Sequence, residues 1–293
     1  MQYDVIVIGG SYSGMAAALQ LLRARRQVLV IDAGQRRNRY ASHSHGFLSQ
    51  DGVDPAEIAE RAHAQLSRYQ TLAWHDGTAS RVEGSRDAFG VALADGRCAE
   101  GRRVLFATGV SDMLPEIDGL AERCGKSVFH CPYCHGYELD RGRIGVIAAG
   151  PSSLHQALLL PEWGEVTLLT NGVLELDGEA RRQLGARGVG IEEETVARLE
   201  GGADIRLTGG RLLPFAGLFT APRNRPATPL AESLGCELEE TPFGSQIKTD
   251  AAKETSVSGA FACGDVARVP HSVSLAVGDG AWAGAQIHRS LVF

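Results

Sequence analysis

Val5-Ile6-Val7-Ile8-Gly9-Gly10-Ser11-Tyr12-Ser13-Gly14, close to the N-terminus, decides the fold. Its four β-branched residues are an apolar run of the kind buried on both faces of a parallel sheet. A Gly-rich turn follows directly, and then an Ala- and Leu-rich helix expected to run to about Arg25. Val28-Leu29-Val30-Ile31 reads as the next strand, with Asp32 at its C-terminal end, 18 residues after Gly14. In that order the turn lets backbone approach a pyrophosphate, the helix N-terminus faces its negative charge, and the acid accepts hydrogen bonds from ribose hydroxyls. Gly9, Ser11 and Gly14 hold the three glycine positions of this dinucleotide motif. The middle one carries a Cβ, so a slightly looser approach is expected.

The plan repeats. Arg143 to Ile147 reads as a strand, Ala148-Ala149-Gly150-Pro151-Ser152-Ser153 as a turn, the residues to about Leu160 as a helix, and Glu165 to Thr170 as a second strand. Two nucleotide-type domains are therefore expected. In the glycine register the second turn reads Ala148, Gly150 and Ser153, with Gly150 and Ser152 its candidate phosphate contacts. Its second strand ends in Thr170-Asn171-Gly172, which offers neither an acid for a free ribose nor an Arg for a 2′-phosphate; Arg181 and Arg182 lie further on. A retained scaffold and a weak nicotinamide site both fit these residues.

Between the two units lies Cys131-Pro132-Tyr133-Cys134-His135, with His130 just ahead of it. Two thiols at this spacing can close a small disulfide, and a thiolate beside a His or a helix N-terminus attacks other sulfurs readily. Redox chemistry is the leading reading. Structural zinc needs about four ligands, whereas Cys98, Cys124, Cys236 and Cys263 are scattered singly. A c-type haem site is disfavoured by the lack of a secretory leader and by only three Met. An inert buried thiol pair remains as the bland reading. No metal site is expected.

At 293 residues the chain has room for about two domains. A net charge of −6, with its positive charge nearly all Arg and dispersed, argues against nucleic acid or an anionic membrane as partner. No apolar run approaches a membrane span, and Met1-Gln2-Tyr3-Asp4 lacks a basic leader. A cytoplasmic protein is expected, in which six Cys read as thiols or catalytic groups.

Two further segments bear on the first nucleotide. Val104 to Gly109 reads as a buried strand ending in a small-residue turn, Ala107-Thr108-Gly109, suited to passing beneath a flat cofactor. Gly259 to Val266 reads as a strand ending in Gly264-Asp265, ahead of a helix from Ser272 to about Ser290. A carboxylate there can hold a ribityl hydroxyl, and the helix N-terminus can face the electron-rich edge of a reduced flavin.

These pieces together resemble the low-molecular-weight thioredoxin reductases and their small-molecule dithiol oxidase relatives, the gliotoxin, holomycin and romidepsin disulfide-forming flavoenzymes. The resemblance spans essentially the whole chain. It implies an α/β fold of the class II pyridine nucleotide-disulfide oxidoreductase kind, with two Rossmann-like domains. Residues 1–111 and 222–293 would form a discontinuous FAD-binding domain, and 112–221 an inserted NAD(P)-type domain carrying the CxxC. FAD as cofactor and a homodimer are also implied, while the residues of the second turn make NADP(H) binding possible but weak. Carried over, Cys134 lies against the flavin and Cys131 exchanges with substrate.

Three departures separate the chain from typical thioredoxin reductases. His135 stands where an Asp handles protons, Thr170-Asn171-Gly172 lacks the NADPH-reading arginines, and His271-Ser272 replaces an Arg-Gln pair. The stretch Arg37-Asn38 and His45-Gly46-Phe47-Leu48 looks like the oxidase branch. The resulting expectation is an FAD enzyme oxidising a small dithiol, with oxygen or NADP⁺ as final acceptor. His135 is the expected general base, since imidazole titrates near neutrality, and His130 the alternative. NADPH-driven reduction of thioredoxin and a non-catalytic flavin sensor are the competing readings.

Overall fold

The computed structural model describes residues 2–293. Its first sheet grows from the strand Gln2–Ile8, whose Val5, Ile6 and Val7 are wholly buried. Val28–Asp32 and Cys98–Phe106 pair with it in parallel on either side. Leu72–Asp76 extends one edge, while Ala88–Leu93 and Ala79–Ser85 extend the other as an antiparallel meander. Ala260–Ala262 also pairs with Cys98–Phe106, so a late segment of the chain completes a sheet begun by its first residues.

One face of this sheet is covered by the helices Tyr12–Arg23 and Val273–Val292. They approach closely because Gly280 and Gly284 abut the backbones of Ser13 and Ala17, where a Cβ would collide. The first helix ends at Arg23 rather than Arg25, since Arg25 takes a left-handed φ of 59°. Ser272 caps the last helix, its hydroxyl accepting from the Leu275 amide at 3.2 Å.

A second, wholly parallel sheet runs Gly190–Glu192, Glu165–Leu169, Arg143–Ile147, Gly217–Thr220, Val128–Phe129. The helices Ser152–Leu159 and Gly178–Ala186 pack with it. A small antiparallel sheet over residues 196–213 lies beside it, with alternate residues such as Ile205 and Leu207 buried against it. The chain passes between the two large sheets along an antiparallel pair, Val110–Met113 with Arg223–Pro226. Among the described residues no helix is long and apolar enough to cross a membrane.

Candidate redox cleft

The first Gly-rich turn folds as its residues require. Gly9 takes a φ of 106°, and a Cβ there would strike the Ala107 carbonyl, so the turn lies directly on the end of the Cys98–Phe106 strand. Gly14 lets the helix back onto the Gly9 carbonyl. The Gly10 amide donates to Asp32 Oδ1 at 3.1 Å, which fixes the acid beside the turn. Ser11 begins the helix without any side-chain cap, leaving the terminal amides to face outward.

The Cys131 and Cys134 sulfurs are joined in a disulfide, with Cα atoms 5.3 Å apart, at the start of the short helix Pro132–His135. That disulfide opens on the same cleft as the turn. The cleft, of about 750 Å³, is lined by Gly9, Ser11, Asp32, Asn38, Thr108, Gly109, His130, Cys131, Cys134, His135 and Asp265. Of the other expected residues, Gly14 and Gly264 pack beneath it rather than line it, and Gly150 and Ser152 lie away from it.

Arg37 is the centre that sequence reasoning missed. It grips Asp112 with Nε to Oδ2 at 2.9 Å and Nη2 to Oδ1 at 2.5 Å. Its Nη1 reaches Asp265 Oδ2 at 3.1 Å and His271 Nδ1 at 2.8 Å. One guanidinium thus binds a loop, the strand between the sheets, the Gly-Asp turn and the entry to the last helix. Withdrawal from water would lower its pKa, but Asp112 and then Asp265 hold it above the usual value. Burial would raise the Asp112 carboxyl, yet Arg37 holds it below the carboxylate range. The only signal in the sequence was the stretch beginning Arg37-Asn38; its partners lie 75 and 228 residues away.

Both candidate proton carriers differ from the expectation of titration near neutrality. His135 stacks on Phe129 at 4.3 Å between ring centres, and burial, then the neighbouring His45, push it down to about 4. His130 keeps an exposed face to the cleft. Crowding by the cleft walls, then the Arg37 charge, lower it, with Asp112 pulling the other way. Both imidazoles are therefore neutral at physiological pH. The free Cys124 also lines the cleft, but burial and the Asp112 charge push its thiol up to about 11, which favours the protonated thiol over the thiolate.

The second turn is occupied by its own chain. Ser153 Oγ accepts from the Ala149 amide at 3.0 Å, and Ser152 Oγ donates to the Pro242 carbonyl at 3.1 Å. Asn171 Oδ1 accepts from the Val196 amide at 3.0 Å. Arg181 is paired with Glu193, and Arg182 with Glu179.

Residues 3–280 match the pyridine nucleotide-disulphide oxidoreductase family. The chain belongs to this family. Along 99% of its length it is 32% identical to thioredoxin reductase tcpT of Claviceps purpurea, covering 94% of that protein. It is 30% identical to thioredoxin reductase sirT of Leptosphaeria maculans, over 98% of this chain and 93% of the relative. Among solved structures it superposes on an oxidoreductase from Agrobacterium tumefaciens with a TM-score of 0.98 and 55% identity, covering 100% and 99% of the two chains. On HlmI the TM-score is 0.91 at 39% identity, covering 99% and 93%.

As a member of this family the protein is a flavin-dependent disulfide oxidoreductase, and its flavin is FAD. The cleft fits that cofactor on its own observations. The uncapped helix start suits a pyrophosphate. Among the described residues the second oxygen of Asp32 has no protein partner, and Asn38 Oδ1 is buried without one.

Proposed function

We propose that this enzyme oxidises small-molecule dithiols to disulfides at Cys131–Cys134. The observation that carries the reading is the contrast within one chain: the disulfide opens on the cleft of the first nucleotide turn, while in the second turn the Ser152 and Ser153 hydroxyls are already bonded to protein partners. A substrate thiolate attacks Cys131 Sγ, the Cys131–Cys134 bond breaks, and Cys134 leaves as the thiolate. The second substrate thiol then attacks the mixed disulfide, and Cys131 leaves, so the substrate loses two electrons and the pair gains them. FAD, when bound, supplies the two-electron acceptor that restores the pair, with oxygen or NADP⁺ as final oxidant.

The imidazole of His135, with His130 as the alternative, starts neutral and accepts the substrate proton. A thiolate forming beside it raises its pKa at that moment, because an adjacent negative charge favours the imidazolium. Gly9, Ser11, Asp32, Asn38, Thr108, Gly109 and Asp265 are placed at FAD, with Gly14 and Gly264 shaping the backbone beneath. We assign residues 1–111 and 222–293 to the FAD-binding domain and 112–221 to the inserted one. A cytoplasmic homodimer completes the proposal.

The thioredoxin reductases tcpT and sirT, to which the chain is similar, favour a second reading, NADPH-driven reduction of thioredoxin. Stopped-flow absorbance of the flavin separates the two. A small dithiol such as dithiothreitol is expected to bleach the flavin rapidly and NADPH slowly; bleaching by micromolar NADPH within milliseconds would replace the oxidase reading.

A further inference from the structure

The protein has only three lysines, and one of them, Lys253, is buried at 8% exposure in a chain that otherwise uses arginine. Its backbone is left-handed, with a φ of 65°, which a non-Gly residue adopts at a cost of about 1 kcal/mol or more. Two backbone hydrogen bonds hold it there: its amide donates to the Asp250 carbonyl and its carbonyl accepts from the Ala262 amide, each at 3.0 Å. No step of the thiol chemistry uses it.

Its ammonium has two partners. Nζ donates to the Ala267 carbonyl at 3.1 Å and lies 3.1 Å from Asp279 Oδ2 on the last helix. Asp279 Oδ2 in turn accepts from the Gly264 amide at 2.8 Å. Gly264 and Ala267 are the first and last residues of the short 3-10 helix that carries Asp265. A single ammonium therefore holds both ends of this turn, one directly and one through Asp279. A one-turn 3-10 helix has little stability of its own, and Gly264 enters it with a φ of 75°. An ammonium suits the task as a compact charge with three donors, whereas a guanidinium is a wide planar fork.

We infer that Lys253 and Asp279 are positioning residues that set the Gly264–Ala267 turn and so aim Asp265 at the cofactor. The inference rests on the placement of Asp265 at FAD proposed above. Arg103 provides an internal control. It is buried at 1% exposure and holds the far end of the same helix through Ser290 Oγ at 3.0 Å and the Ser290 carbonyl at 2.6 Å.

The test titrates FAD into apoprotein by fluorescence and follows amide exchange at residues 264–267. Lys253→Met is expected to weaken FAD binding roughly tenfold or more, as loss of an outer support commonly does, and to speed exchange in that segment. Asp279→Asn, which keeps size and an acceptor for the Gly264 amide, is expected to weaken binding several-fold; it decides the matter if Lys253→Met does not fold. Arg103→Met should lower the melting temperature while leaving FAD affinity unchanged. Wild-type affinity and exchange in folded Lys253→Met or Asp279→Asn would overturn the inference, as would an equal affinity loss in Arg103→Met. Asp265→Asn in the same titration separates the layers: if it too binds FAD normally, the placement of Asp265 itself is wrong.

Discussion

The two Gly-rich turns share one plan, strand, turn and helix, and differ in where their own polar groups go. Both helices start without a side-chain cap, but in the first turn Gly14 has no side chain and, among the described residues, only one oxygen of Asp32 is engaged. In the second, the equivalent position is Ser153, whose hydroxyl satisfies the Ala149 amide, and Ser152 and Asn171 are likewise tied to protein partners. Topology alone does not make a nucleotide site. A turn remains competent only while its donors and acceptors are left for the ligand, since an amide already satisfied gains little from a phosphate.

The contrast is tested most severely at the disulfide. Cys134→Ser should abolish dithiol-driven flavin reduction, while Cys131→Ser should leave Cys134 free to give a long-wavelength thiolate–flavin band. A band in the Cys134 variant instead would reverse the two roles.

For the second turn, two missing charge-assisted hydrogen bonds at about 1.5–3 kcal/mol each correspond to roughly 10²- to 10⁴-fold in affinity. NADPH is accordingly expected to bind near the millimolar range with little preference over NADH. Glu193→Gln, which releases Arg181, should recover about tenfold of that. Micromolar NADPH binding by calorimetry to the unaltered protein would erase the distinction between the turns.

His135→Ala should slow thiol oxidation by roughly 10²- to 10⁴-fold; an unchanged pH–rate profile would move the role to His130 or solvent. The same residue carries a stability signature. Its folded pKa of about 4 lies below the ordinary 6.5, so the unfolded chain binds its proton first as pH falls. Stability should be whole above about pH 6.5 and decline toward pH 4, a loss that acid-dependent urea melts would find reduced in His135→Ala.

The smallest contrast is steric. Gly14→Ala drives a methyl into the Gly9 carbonyl and should cost about 3 kcal/mol. Ser153→Gly in the second turn removes one hydrogen bond, about 1 kcal/mol. Equal effects in denaturant melts would mean that the two turns tolerate change alike.

What could be read in the sequence was whatever is local. The buried strand, the turn and Asp32 announce themselves because glycine spacing and apolar runs are consequences of backbone geometry within a few residues. The CxxC is legible for the same reason. Arg37 was visible only within a stretch resembling the oxidase branch, with no role attached, because Asp112, Asp265 and His271 become its neighbours through sheet topology and not through spacing. Lys253 was silent altogether: it belongs to no motif, and its importance comes from a turn 11 residues away and a helix beyond it. The low value of His135 was equally hidden, since it arises from stacking and burial and not from residue type.

The glycines that let the last helix lie against the first also dictate an order of assembly. During synthesis the first helix emerges early, but the surface that Gly280 and Gly284 provide for it is translated only after the whole second sheet. Until then the apolar flank of Tyr12–Arg23 has no partner on that side and is exposed to other chains or to chaperones. The second sheet, whose strands all lie within residues 128–220, needs nothing translated later to complete its pairing. The cleft beside the first sheet is thus complete only once Val273 and Ala276, which line it, have been translated.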